Sequence, residues 1–258
     1  MTPAAVLAGE ARWCVVHGDC LNVLPGLSDK SVDHVIADPP YEAVAHTKQR
    51  RLKRGDGLAV VELSFPPITE DERRTSAREI ARIARRWSLV FCQVEATTRW
   101  AQSIEAGGHV YKRTCIWYKP DGQPQLTGDR PGTGYESIVV SHSPGRSRWN
   151  AGGRLGVFVH SARWSGGRPH DHPTEKPLTL MLDLVESFTD ANDVIVDPYC
   201  GSGTTGVAAL RLGRRFIGIE KDADFAQIAR TRIVAESEGS TLQAVQVGQA
   251  ALFGTGKP

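Results

Sequence analysis

The run Val32-Asp33-His34-Val35-Ile36-Ala37 ends abruptly at Asp38-Pro39-Pro40-Tyr41, and this junction constrains the chain more than any other stretch. The run reads as a buried strand of a parallel sheet. Neither proline can continue it, because each lacks an N–H and holds φ at about −65°. The chain must stop and turn there, presenting an acid, two rigid carbonyls and an aromatic ring together. In open α/β sheets, ligands bind at the carboxyl ends of the strands.

Further apolar runs fit the same sheet. Arg12–His17, Trp87–Cys92, Val110–Lys119, Tyr135–Val140, Asn192–Asp197 and Arg215–Ile219 read as strands. Helices are predicted over Glu70–Arg86, residues 97–106, a segment with Pro177 as its first residue, a segment from Thr205 to Gly213, and one capped by Asp222. Residues 42–62 read as a loop, and the tail 239–258 as weakly ordered. At 258 residues, one large α/β domain is the natural size. No run approaches the roughly 18 apolar residues of a membrane span, and the first 30 residues lack a signal-peptide pattern. Five cysteines without a C-x-x-C pair argue against a disulfide framework or a structural zinc and for a reducing cytoplasm. His170-Asp171-His172 has no third ligand at useful spacing, so no metal is expected.

Gly201-Ser202-Gly203-Thr204-Thr205-Gly206 matches G-x-G-x-x-G after a strand and at the start of a helix, with Glu220 placed 17 residues past Gly203. The pattern implies a close backbone approach to an adenosine-bearing ligand and a carboxylate able to accept from both ribose hydroxyls. NAD and S-adenosylmethionine both satisfy it. Only 38 residues follow Glu220, too few to finish a doubly wound sheet. The N-terminal strands must complete it. Asp19, Asp38, Asp197 and Glu220 would then lie on one rim.

The chemistry of the double-proline corner is narrow. A nucleobase amino group is a poor nucleophile because its lone pair is delocalised into the ring. Accepting both amino hydrogens, with the Asp38 carboxylate and the Pro39 carbonyl, favours a pyramidal nitrogen, and the Tyr41 face can stack on the base. Net charge is only +2, so a polyanion must meet local patches. One candidate is Lys48, Arg50, Arg51, Lys53 and Arg54, five cations in seven residues. The other is the stretch from Ser137 to His170, which has no acid but carries Arg146, Arg148, Arg154, Arg163 and Arg168 with Trp149 and Trp164. Tryptophans anchoring a basic loop in the core would explain it equally well.

Together with Gly18-Asp19, Trp117-Tyr118-Lys119-Pro120 and His172-Pro173-Thr174-Glu175-Lys176-Pro177, these motifs resemble the S-adenosylmethionine-dependent DNA amino-methyltransferases of the permuted (beta) class, in which the catalytic motif precedes the cofactor motif. The likeness covers roughly residues 12–236, with Tyr199 where the family usually has Phe. It implies a seven-stranded, mostly parallel Rossmann-like sheet with helices on both faces, and base flipping. It makes Asp38, Pro39, Pro40 and Tyr41 the catalytic corner. Asp19, Asp38, Thr174, Lys176, Asp197, Tyr199, Gly201, Gly203, Thr204, Thr205 and Glu220 would bind the cofactor, with Asp19 at the adenine amine and Glu220 at the ribose. Lys48, Arg50, Arg51, Lys53, Arg54, Arg146, Arg148 and Arg163 would contact double-stranded DNA. Asp rather than Ser at position 38 leans to adenine N6 over cytosine N4. Only residues 121–171 are left for target recognition, so selectivity is expected to be short, relaxed or dependent on a second copy. A homodimer and a cognate restriction nuclease are the further partners expected.

Overall fold

The structure is a computed structural model. It describes residues 1–42, 50–54, 57–61, 66–122, 128–162 and 175–239, with 50–54 and 57–61 by backbone alone. Strands β1 (Trp13–His17), β2 (His34–Ala37), β5 (Trp87–Cys92), β6 (Val110–Tyr118), β7 (Tyr135–His142), β8 (Val157–Val159), β9 (Val194–Asp197) and β10 (Arg215–Glu220) form one sheet, in the order β1-β10-β9-β2-β5-β7-β6-β8. Only β7 runs against the others. This sheet therefore has eight strands among the described residues where seven were expected. The addition is β8, three residues pairing with the edge of β6. A run that short carries too little pattern to be read from sequence.

Strand residues alternate between two cores, as a sheet covered on both faces requires. Trp13, Ile36, Leu89, Phe91, Ile195 and Phe216 face one core. It is closed by α5 (Leu178–Phe188), α6 (Thr204–Arg211) and α7 (Ala223–Glu238). Cys14, Val35, Val90, Val196 and Ile217 face the other. That one is closed by α1 (Pro3–Ala8), the short α2 (Cys20–Val23), α3 (Glu70–Ile83) and α4 (Thr97–Ala106).

Several boundaries differ from expectation for identifiable reasons. Helix α3 starts with a reciprocal cap, in which Thr69 and Glu72 bond each other's backbone N–H. It stops at Ile83 because Ala84 turns extended (ψ 127°) and bridges Val32. Pro177 caps α5 rather than opening it. The expected loop 42–62 is wrong in part: β3 (Arg50–Arg54) and β4 (Gly57–Val61) form a separate antiparallel hairpin. Clustered cations hid its strand pattern.

The connections set where a ligand can sit. From β9 the chain crosses to β10 on one side, and from β2 it crosses to β5 on the other. The crevice between β9 and β2 is thus the topological switch point, where open α/β sheets bind ligands. At the opposite pole, charges pin these two strands together. Asp33 accepts from the Val194 N–H at 2.8 Å and from Arg85 Nε at 2.7 Å. Asp193 accepts from Arg86 at 2.7 Å and lies 2.8 Å from His34 Nε2.

Helix α6 lies almost on the sheet. A Cβ on Gly206 would fall 2.6 Å from Ile233 Cδ1 and 2.7 Å from Phe216 Cε1. Overpacking of this kind costs about 1–3 kcal/mol, against a helix-propensity gain of at most about 1 kcal/mol. Gly206→Ala is therefore expected to lower the urea midpoint with an unchanged slope. A midpoint equal to that of the wild type would show that the helix can move off the sheet without loss.

Candidate active site

Four carboxylates stand at or just past the ends of adjacent strands. In sheet order they are Asp19 after β1, Glu220 ending β10, Asp197 ending β9 and Asp38 after β2. At about 4.8 Å between strands, the row spans roughly 14 Å. Asp19 caps α2 through the Leu21 N–H (3.0 Å) and pairs with Lys221 Nζ (2.8 Å). The Lys221 contact draws its carboxyl below the usual range.

Glu220 accepts from the backbone N–H of Gly201 at 2.7 Å and of Asp222 at 2.8 Å, one on each oxygen. It therefore holds the glycine turn while keeping further lone pairs for a ligand hydroxyl. Asp197 accepts from the Tyr199 N–H at 3.0 Å and from Thr205 Oγ1 at 2.6 Å. Burial, reinforced by the negative charges of Asp38 and Glu220, pushes its carboxyl up to about 7 despite these bonds.

The glycine turn is built for close packing. Gly203 sits at φ +86°, and a Cβ there would lie 2.9 Å from Ala229 Cβ. From α7, Arg232 reaches under the turn to Ser202 O (2.7 Å), Ser202 Oγ (2.8 Å) and Glu175 Oε1 (2.7 Å). Thr204 also donates to Glu175 (2.7 Å). The side chains of Thr204, Thr205 and Tyr199 are thus engaged by the fold itself, the last through Ser76 Oγ at 2.8 Å. Thr174 and the His170-Asp171-His172 cluster lie outside the described residues.

Around Asp38 the arrangement was only partly foreseen. Lys176 Nζ sits 2.6 Å from Asp38 Oδ2, not at the glycine turn. Its ammonium lies 4.9 Å from the Phe91 ring, 5.6 Å from Tyr41 and 5.9 Å from Trp117, with Glu136 Oε2 at 3.2 Å. Lys119 pairs with Glu136 from the other side, and the Tyr41 hydroxyl donates to Glu136 at 2.6 Å. Glu136 is a residue sequence reasoning missed. Its signal was an acid inside a strand that is otherwise buried. Asp38 Oδ1 is buried and has no hydrogen-bond partner among the described residues. Burial, with Glu136 nearby, raises the Asp38 carboxyl above its ordinary value even against the Lys176 ammonium.

Glu42 anchors the far side of the corner, accepting from Arg73 (2.6 Å) and Arg99 (2.7 Å). Ile68 N–H then returns the chain to Tyr41 O at 3.3 Å. The hairpin β3–β4, which carries Arg50, Arg51, Lys53 and Arg54, therefore lies in the stretch of chain between two points, Tyr41 and Ile68, that meet at the double-proline corner. Lys48 and Arg163 lie outside the described residues. Arg146 and Arg148 are not brought to this rim. Antiparallel β7 delivers the segment after it to the opposite pole, where Arg148 O accepts from Trp87 Nε1 (2.7 Å) and its guanidinium lies 3.6 Å from Asp190. Trp149 packs edge-on against Phe188 with ring centroids 4.6 Å apart, so it is a core anchor.

The buried Asp197 has a pH signature. Its folded carboxyl titrates at about 7 and its ordinary value is 3.8. The unfolded chain therefore loses that proton first, and wild-type stability should fall as pH rises from about 4 through about 7. In Asp197→Asn the Thr205 hydroxyl can turn to accept, and nothing titrates. The variant's stability relative to wild type is expected to climb across that window and level off above it. Urea midpoints that stay parallel from pH 4 to pH 8 would count against the buried, raised carboxyl.

Known proteins resemble this chain in sequence and in fold. Residues 154–231 match the family model for N6/N4 enzymes described as DNA methylase. The type II methyltransferase M2.DpnII of Streptococcus pneumoniae is 49% identical over 257 residues, covering 88% of this chain and 91% of the relative. Among solved structures, the M1.HpyAVI–SAM complex aligns with TM-score 0.64 at 22% identity, over 86% of this chain and 99% of that one. PvuII DNA methyltransferase, described as cytosine-N4-specific, aligns with TM-score 0.71 at 16% identity, over 95% and 94%. At such identities the solved structures speak for the fold alone. The near half-identical relative, matched along nearly its whole length, decides the rest: this chain belongs to the N6/N4 DNA methylase family.

Proposed function

We propose that the chain methylates the exocyclic N6 of adenine in double-stranded DNA, using S-adenosylmethionine. The observation that carries the reading is the buried Asp38 Oδ1, unpartnered among the described residues and set beside β9 and its glycine turn by the pairing of β2 with β9. A buried carboxylate oxygen without a donor is costly unless a ligand supplies one. The cofactor fits the rim on the same grounds. The row Asp19, Glu220, Asp197, Asp38 offers acceptors in the order adenine amine, ribose, amino-acid end and reacting centre. When bound, the cofactor supplies a methyl group activated by its sulfonium.

The chain's own residues do the rest. Asp38 Oδ1 and the Pro39 carbonyl accept the two amino hydrogens and localise the nitrogen lone pair. Pro40 keeps the corner rigid. Tyr41, with its hydroxyl fixed on Glu136, offers its ring to a base swung out of the duplex, an extrusion costing a few kcal/mol. The hairpin β3–β4 holds the DNA backbone with its cations. Family membership removes the support for the NAD-dependent oxidoreductase reading. Cytosine N4 is the alternative within the family, where the resemblance puts Ser in the place of Asp38. Among the described residues no helix is long and apolar enough to cross a membrane. All five cysteines are free and buried, and a cytoplasmic location is the proposed one. A homodimer and a cognate restriction nuclease remain its proposed further partners.

Nucleoside mass spectrometry of DNA treated with the enzyme is expected to show N6-methyladenine, and N4-methylcytosine in its place would overturn the base assignment. Asp38→Ala should abolish transfer, because the acceptor for the target amine is lost. It should leave cofactor affinity by calorimetry within about twofold, because Asp19, Glu220 and Asp197 still offer the cofactor its acceptors; the variant also leaves Lys176 without its Asp38 partner. Full activity in that variant would remove the catalytic role. Replacing Arg50, Arg51, Lys53 and Arg54 together by Gln should weaken DNA binding and flatten the log–log salt slope by up to about 4. An unaltered slope would place the phosphate contacts elsewhere.

A further inference from the structure

Glu136 has no part in the chemistry above, yet three side chains of the catalytic corner converge on it. It is the second residue of β7, and the antiparallel course of that strand brings it to the same rim as the last residues of its neighbours. Glu136 is in register with Trp117, and Ser137 with Cys92. One oxygen accepts from the Tyr41 hydroxyl at 2.6 Å and faces Lys176 Nζ at 3.2 Å, while the other meets Lys119. Lys176, boxed by Phe91, Tyr41 and Trp117, in turn grips Asp38 Oδ2. Two carboxylates and two ammoniums thus share one site, and the ring expected to stack on the target base is fastened to the same group.

We propose that Glu136 is a positioning residue for methyl transfer, fixing the Tyr41 ring and drawing Lys176 to one edge of Asp38 so that Oδ1 alone is open to the target amine. This rests on the assignment of Asp38 as the acceptor. Although burial opposes it, the Lys176 and Lys119 ammoniums hold Glu136 at about 2. It therefore stays charged and takes up much of the lysines' field. Asp38, left with less of that field, is the more basic acceptor.

The groups acting on or answering to Asp38 are Lys176, Glu136, Lys119, Tyr41, Asp197 and Cys92. Glu136→Gln removes the nearest like charge and frees Lys176 for Asp38. Both effects make the Asp38 carboxylate less basic, so the acid limb of the kcat profile should move to lower pH. With the ring and the acceptor loosened, kcat should drop roughly 10- to 100-fold, while calorimetric cofactor affinity stays within about twofold. A carboxylate that merely neutralises buried lysines would change the melting temperature and leave kcat at the wild-type level on the plateau above the acid limb.

Tyr41→Phe severs one of the bonds without altering charge. It should also lower kcat, and its loss should combine with that of Glu136→Gln less than multiplicatively. Wild-type plateau kcat in Glu136→Gln, with Asp38→Ala inactive, would overturn the proposal and leave the parent assignment standing. If Asp38→Ala is itself active, the parent assignment fails instead. Should Glu136→Gln not fold, Tyr41→Phe decides alone, and wild-type kcat there overturns the proposal.

Discussion

The pairing of β2 with β9 is the contact on which the rest depends. It joins His34 to Ile195 and Val35 to Val196, segments some 160 residues apart in the chain. Each strand runs into an acid that begins a turn the strand cannot continue, one through two prolines and one through a proline and glycines. Because the strands are parallel and adjacent, both turns emerge on one side at about one strand spacing. The ion pairs around Asp33 and Asp193 at the far pole hold that register. Closing a loop of this length is entropically slow but adds little to the cost, since the penalty grows only logarithmically with length.

Electrostatics explains why so many charges tolerate burial on the rim. Asp38, Glu136, Lys119 and Lys176 balance one another, and the three rings around Lys176 present their electron-rich faces to its ammonium. The buried pair of Arg232 with Glu175 does the same under the glycine turn. Removing one member of such a set leaves an uncompensated charge, which is why buried pairs are costly to break even when they add little net stability. Two groups on the rim stand apart: among the described residues Asp38 Oδ1 has no donor, and burial pushes the Asp197 carboxyl up to about 7.

Most of the fold was legible because buried parallel strands read as apolar runs and because proline and glycine punctuate their ends. Local pattern failed where it was short or masked by charge. The three residues of β8 carry no periodicity, and the cations of Arg50–Arg54 made a hairpin resemble a loop. Arg146 and Arg148 were grouped with the DNA-facing residues by composition alone. The direction of β7 sends them to the other pole, and direction is a property of strand pairing that no local stretch encodes.

By itself the sequence determined the four rim carboxylates, the turn chemistry of Asp38–Tyr41 and Gly201–Gly206, and the need for the N-terminal strands to complete a sheet begun near the C-terminus. Those are consequences of residue type and spacing, which act within a few residues. Tertiary structure decided the order in which the carboxylates stand and the joining of Lys176, Lys119, Tyr41 and Glu136 into one charged cluster around Asp38. It also decided which basic residues share the rim. Strand order and strand direction arise only when distant segments pair, so proximity across the sheet is invisible until the chain has folded.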